Sequence, residues 1–181
     1  MMVEPRKSLQ PPQRGGPEGP AVIELRPMHP DEFPAFLAYF IPDYAAEIAA
    51  NFGLPEDAAR ARAAHEVAED LPRGVETPGQ TLLCITQGGP SAEEVVGSFW
   101  LRLPQRSTIA FVSDFHVFPA RQNQGLGRQA LAALDTWLAS AGFEHLRLRV
   151  AADNARARHL YETGGFRTTG INMSKPIGRQ E

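Results

Sequence analysis

The chain has 181 residues, 43% hydrophobic and 22% charged, with 18 Lys+Arg against 21 Asp+Glu for a net charge of −3. That length suits a single domain able to bury a core without disulfides or metals, and the single cysteine, Cys84, excludes an internal bridge. The mild acidity gives no general attraction to nucleic acid or anionic lipid, and no apolar run approaches the ~18 residues of a membrane span, so a cytoplasmic protein with neither partner is expected.

Residues 1–20 hold five prolines and three glycines. Such a composition buries too little surface to offset its ordering entropy and reads as a flexible tail. The domain is expected over residues 21–178. Residues 21–26 predict a strand. Pro30, Asp31 and Glu32 start a helix running to about Phe40, with proline early and acids where they suit the helix dipole. Pro42 interrupts it. A second helical stretch reaches about Phe52 and stops at Gly53, and Pro55 opens a third that carries Ala58, Ala61, Ala64, Ala68 and Leu71 on one side.

Residues 81–85, 95–103 and 109–118 then read as strands, linked closely enough to form an antiparallel meander. Leu126, Ala130, Leu134, Leu138 and Ala141 recur at helical spacing up to Gly142. Residues 146–150 alternate as a strand, residues 154–163 fit a last helix stopped by Gly164 and Gly165, and residues 166–177 have room for two short strands.

The most informative stretch runs from Val117 to Arg128, where a strand passes through a proline-started loop into a helix with Gly125 and Gly127 at the junction. Glycine lets backbone approach a ligand closely, and the free N–H groups of a first helical turn make an anion site that fits a phosphate or pyrophosphate. The bland alternative is a turn that merely needs two glycines. Gly125-x-Gly127-x-x-Ala130 also has the form of a dinucleotide fingerprint. That fingerprint needs its first glycine at the end of the first strand of a βαβ unit. Here Gly125 comes about seven residues after the strand, with only some fifty residues left, too few for a doubly wound sheet, so an oxidoreductase is a remote alternative.

With that loop, the sequence resembles the GNAT family of acetyl-CoA-dependent N-acetyltransferases. Gln122-x-x-Gly125-x-Gly127 is similar to the family's acyl-CoA motif, and a second block follows: Leu146-x-Leu148-x-Val150, then Asn154, Ala157, Leu160-Tyr161 and Gly165-Phe166. The resemblance implies an α/β (α+β) GNAT fold: a central, mixed, mostly antiparallel sheet of about six to seven strands with a splayed parallel pair, flanked by helices. It implies an acyltransferase that moves acetyl from acetyl-CoA to a primary amine by direct attack in a ternary complex, the acceptor being a small molecule or a protein amine. A homodimer is left open. The alternative from another class is an acyl-CoA-binding sensor that has lost turnover.

The resemblance also assigns residues. The N–H of Phe115 would face the acetyl carbonyl, Val117 would pair with the pantetheine amides, and the N–H groups of Gln122, Asn123, Gln124, Gly125, Leu126, Gly127 and Arg128 would surround the pyrophosphate, Leu126 mainly packing. Asn154, Ala157 and Tyr161 fall on one helical face and would line the arm, although Asn154 could serve only as a helix N-cap. Tyr161 is the expected acid for the departing thiolate, with a hydrophobic packing role as its alternative. Asp114 and His116 are the candidates for base or water relay, since the free amine is mostly protonated near neutrality. Tyr39, Tyr44 and Glu47 could border the acceptor pocket. His29, His65, His145 and His159 lack metal-ligand spacing, so no metal is expected.

Overall fold

Alternation along the strands sorts the side chains into two cores on either side of one sheet. The computed structural model describes residues 22–88, 93–173, 175 and 177; the expected tail, residues 1–20, lies outside the described residues. The elements in chain order are β1 (Ile23–Pro27), α1 (Phe33–Phe52), α2 (Glu56–Asp70), β2 (Gln80–Gln87), β3 (Glu94–Arg102), β4 (Ile109–Val117), α3 (Leu126–Ser140), β5 (His145–Leu148) and α4 (Ala155–Thr163). On β2, Leu83 and Ile85 join Phe99 and Leu101 of β3 under the buried face of α3, formed by Leu126, Ala130, Leu131, Leu134 and Leu138. The intervening Leu82 and Cys84 face the other way with Trp100, where Phe36 and Phe40 of α1 and Val67 of α2 cover them.

The sheet has the order β1-β2-β3-β4-β5. The first three pairings are antiparallel and β4 runs parallel to β5. The mixed, mostly antiparallel α/β architecture with a parallel pair is therefore present, with five strands among the described residues instead of six to seven. The missing strands are those expected over residues 166–177. Among the described residues of that stretch the backbone finds no ladder, and Ile171, Met173 and Ile177 are 81%, 93% and 93% exposed. An alternating pattern makes a strand only where an edge accepts it.

Two helix readings also change. Pro42 does not interrupt α1, which continues from Phe33 to Phe52. A proline forfeits one helical hydrogen bond, but Phe36 and Phe40 are buried with the sheet and Val67 before it, and Ala45 and Ile48 with Ala59 and Ala63 of α2 after it, so packing on both sides of Pro42 holds the rod together. On α2 the buried side is Ala59, Ala63 and Val67, continued by Leu71 just past its end, not the predicted Ala58, Ala61, Ala64 and Ala68. Alanines occupy every side of this helix, so the larger Val67 and Leu71 set its phase. Among the described residues, no helix is long and apolar enough to cross a membrane.

Candidate active site

The site is organised by an irregularity in β4. Leu101 of β3 pairs with Val112 while Trp100 pairs with Asp114, leaving Ser113 as an extra residue on β4. Such a bulge exchanges the faces of everything beyond it. Before it, Ala110 and Val112 point into the α3 core; after it, Phe115 and Val117 do so, and Phe115 stacks on Phe99 at 4.3 Å between ring centroids. Asp114 and His116 are thereby turned to the α1 side, where they line a cleft of about 620 Å³. Gly97 seats this end of β4: a methyl group there would lie 2.2 Å from the His116 carbonyl oxygen.

The bulge coincides with a parting of strands. The β4–β5 ladder spans Ile109↔His145 to Val112↔Leu148 and goes no further, although β4 continues to Val117. The Phe118 N–H turns to the Val96 carbonyl of β3 at 2.9 Å. Strand alternation then directs the N–H groups of Phe115 and Val117 away from β3, toward the opening. The Val117 carbonyl on that side accepts a hydrogen bond from the Gln122 side chain at 2.8 Å, and the Gln122 oxygen accepts one from Arg156 at 2.9 Å. Gln122 thus ties the end of β4 to α4, a positioning role that motif matching alone did not suggest.

Beyond Gln122 the loop carries Asn123 at φ 61° and Gly125 at φ 77°, the latter as the N-cap of α3, and no side chain caps that helix. The leading N–H groups, on Leu126, Gly127 and Arg128, have no carbonyl one turn earlier in the helix to receive them. Leu126 is buried in the core. A Cβ on Gly127 would meet Leu160 at 3.1 Å, so this glycine lets α3 and α4 approach each other. Asn123, Gln124, Gly125 and Arg128 are exposed. Val117 and residues Gln122 to Arg128 lie outside the lining of the cleft.

Of the predicted residues, Asp114, Phe115, His116, Asn154, Ala157 and Tyr161 are brought together around the cleft. Asn154 also N-caps α4, accepting from the Ala157 N–H at 3.0 Å. Tyr161 packs its ring on Phe166 at 5.5 Å, and its hydroxyl has no hydrogen-bond partner among the described residues. Burial, aided by the charge of Asp114, pushes its phenol up to about 12, so it stays protonated in neutral solution.

The opposite wall comes from α1 and α2. Tyr39 donates its hydroxyl proton to Asp114 at 2.7 Å and stacks its ring on His116 with centroids 3.8 Å apart. Burial pushes the Asp114 carboxyl up to about 7; the Tyr39 hydrogen bond opposes that rise, the charge of Asp43 adds to it, and the neighbouring Phe115 N–H opposes it more weakly. Burial also lowers His116, so its imidazole is neutral near pH 7. Tyr44 and Glu47 line the cleft with Tyr39, and so do Asp43, Glu66 and Asp70, which sequence reasoning did not select. The signal for Asp43 was its place four residues after Tyr39, visible only if α1 runs unbroken through Pro42. No three His, Cys, Asp or Glu side chains among the described residues are grouped to hold a metal ion.

Residues 44–166 match the Acetyltransferase (GNAT) family. The chain is similar to the uncharacterized N-acetyltransferase YycN of Bacillus subtilis, 38% identical over 160 residues that cover 86% of this chain and 99% of that protein. It is also similar to the uncharacterized N-acetyltransferase YdgE of the same organism, 28% identical over 157 residues, 84% and 97% of the two chains. The crystal structure of YycN superposes with a TM-score of 0.77 at 36% identity, covering 87% of this chain and all (100%) of that one.

Proposed function

The chain belongs to the GNAT family of acetyltransferases, and from that premise we propose that it transfers the acetyl group of acetyl-CoA directly to a primary amine held in the cleft. What supports the reading is a pair of features that follow one another in the chain, the parting edge of β4 and the uncapped N-terminus of α3. The N-terminus of α3 is uncapped and followed by exposed Arg128; on β4, Phe115 lines the cleft with Asp114, His116 and Tyr161. An uncapped N-terminus suits a pyrophosphate, and the strand N–H groups of Phe115 and Val117 suit an extended amide-bearing arm added along β4.

In this reading the amine nitrogen attacks the thioester carbonyl carbon. The Phe115 N–H faces the carbonyl oxygen and steadies the negative charge that develops there. Asp114, with a carboxyl near the working pH, accepts the proton that the nitrogen loses, directly or through one water beside His116. The carbon–sulfur bond breaks, and Tyr161 gives its proton to the departing sulfur. The products are an acetamide and free CoA. Cys84 takes no part: it is buried beneath α1, donates to Glu32 at 3.4 Å, and burial pushes its thiol up to about 12, which argues against an acyl-cysteine and for direct transfer.

Cofactor binding is tested by melting. At a ligand concentration near 100 times Kd, acetyl-CoA should stabilise the fold by about 2.7 kcal/mol. For a domain of this size that corresponds to a rise in Tm of roughly 5–11 °C. Arg128→Glu, at an exposed position, should remove much of the rise by placing negative charge at the pyrophosphate site. It is a cleaner change than a substitution at Gly127, where added atoms would strike Leu160. No rise with acetyl-CoA in the unaltered protein would overturn the reading.

A further inference from the structure

Resting on the acetyl-transfer reading, in which Asp114 takes the proton of the amine, the contacts of Asp114 identify a residue that acts through it. The carboxyl has no ion-pair partner among the described residues. One side chain hydrogen-bonds to it: Tyr39, 75 residues away in the chain, donates its hydroxyl proton at 2.7 Å. The bulge at Ser113 turns Asp114 to the α1 side, but an aspartate keeps both of its side-chain torsions, so facing the cleft does not by itself fix where the oxygens lie.

The phenol that fixes them is itself clamped. Tyr39 sits on α1 beside Phe36 and Phe40, both buried in the core between that helix and the sheet. Its ring meets theirs edge-on, at 6.2 and 6.3 Å between centroids, and lies flat on the His116 imidazole at 3.8 Å. A ring held at its edges and on one face leaves its hydroxyl little room to move, and a donor fixed in place orients the group that accepts from it. Burial, with the charge of Asp114 beside it, pushes the Tyr39 phenol far above its ordinary value, so it remains a donor throughout the neutral range.

We propose that Tyr39 is a positioning residue for the transfer, its clamped hydroxyl holding one oxygen of Asp114 so that the carboxyl presents the other to the amine. It acts through Asp114 and touches no reacting atom. A hydrogen bond donated to a carboxylate favours the ionised form, so Tyr39 also eases ionisation against the burial and the Asp43 charge that oppose it. Around this carboxyl stand Tyr39 and Asp43 from α1, His116 from β4 and Tyr161 from α4. Glu66 and Asp70 of α2, Arg102 of β3 and the Glu47–Arg149 ion pair line the rest of the cleft.

Tyr39→Phe tests this, since it keeps the ring and its stacking and removes the hydroxyl alone. Carboxyl NMR on aspartate-labelled protein, with Asp114→Asn identifying the resonance, should show Asp114 titrating higher in the Phe variant by about one to two pH units, the effect of losing one hydrogen bond to a charged group. Transfer is followed with n-butylamine, glucosamine and a lysine-containing peptide at saturating acetyl-CoA. The rising limb of kcat/KM should move up by the same interval, lowering the rate at pH 7 by roughly tenfold, while the acetyl-CoA-induced rise in Tm stays as in the unaltered protein. In the Asp114→Asn background, Tyr39→Phe should change the rate by less than about threefold, because the group it serves is gone. A resonance and limb that stay in place in the Phe variant, or an equal loss of rate in both backgrounds, would overturn the role of Tyr39 and leave acetyl transfer standing. A fully active Asp114→Asn protein, or bound acetyl-CoA with no turnover on any of the amines, would instead overturn the reading beneath it and this inference with it.

Discussion

Replacing Asp114 with Asn is expected to lower kcat by roughly 10²–10⁴-fold, the range for loss of one general base, while acetyl-CoA binding is retained. The substitution preserves size and leaves a carbonyl oxygen to accept the Tyr39 hydrogen bond, so the fold around the bulge persists. Two further readouts separate catalysis from structure. Because burial pushes the Asp114 carboxyl up to about 7, kcat/KM of the unaltered protein should climb through an ionisation near that pH, and the Asn variant should lack that limb. Stability moves the opposite way. The folded-state pKa lies above the unfolded value of ~3.9, so the folded chain holds the proton more tightly, and this site's contribution falls as pH rises from about 4 to about 7. The Asn variant escapes that loss, so it should melt above the unaltered protein at pH 8, with the difference closing toward pH 4. Tyr39, Asp43, His116 and Tyr161 all face this carboxyl, and the profile reports the cluster they form. A fully active Asn variant would assign the base role to water or His116.

Tyr161→Phe is the second large effect expected: kcat lower by roughly 10²–10⁴-fold with acetyl-CoA affinity within about threefold. The ring contact with Phe166 survives the change, and only the proton donor is removed. Because burial keeps the phenol protonated, it can donate to a departing thiolate without a charge being buried beforehand. A purely packing role predicts the reverse pattern, with Tyr161→Phe nearly as active as the parent and only Tyr161→Ala impaired, through its melting temperature. Measuring kcat, cofactor binding and Tm for both variants separates these accounts.

What could be read from the sequence was local. The Gly125 and Gly127 junction, the meander of β2 to β4 and the amphipathic α3 each follow from short-range pattern, since turns, alternation and helical periodicity are properties of neighbouring residues. Asn154 was read both as a cleft residue and as an N-cap, and it occupies both positions. What escaped depended on pairing between distant segments. The extra residue at Ser113 exists only in the register of β4 against β3, and it decides which side Asp114 and His116 face. The unbroken α1 depends on burial of Phe36, Phe40, Ala45 and Ile48 against other elements, and without it Asp43 and Glu47 would not align with Tyr39. Likewise Asp70 sits in the cleft because α2 is phased by Val67 and Leu71, a matter of side-chain size that evenly spread alanines conceal.

The central claim, direct transfer from acetyl-CoA to an amine, is tested most directly by mixing the protein with acetyl-CoA, with and without each of a panel of primary amines, and following free thiol together with the intact masses of protein and amine. The account predicts thiol release only when the amine is present, one acetyl group on the amine for each thiol released, and no acetyl group on the protein at any time. Thiol release without amine accompanied by an acetylated protein, or tight binding of acetyl-CoA with no thiol released in the presence of any amine, would contradict it.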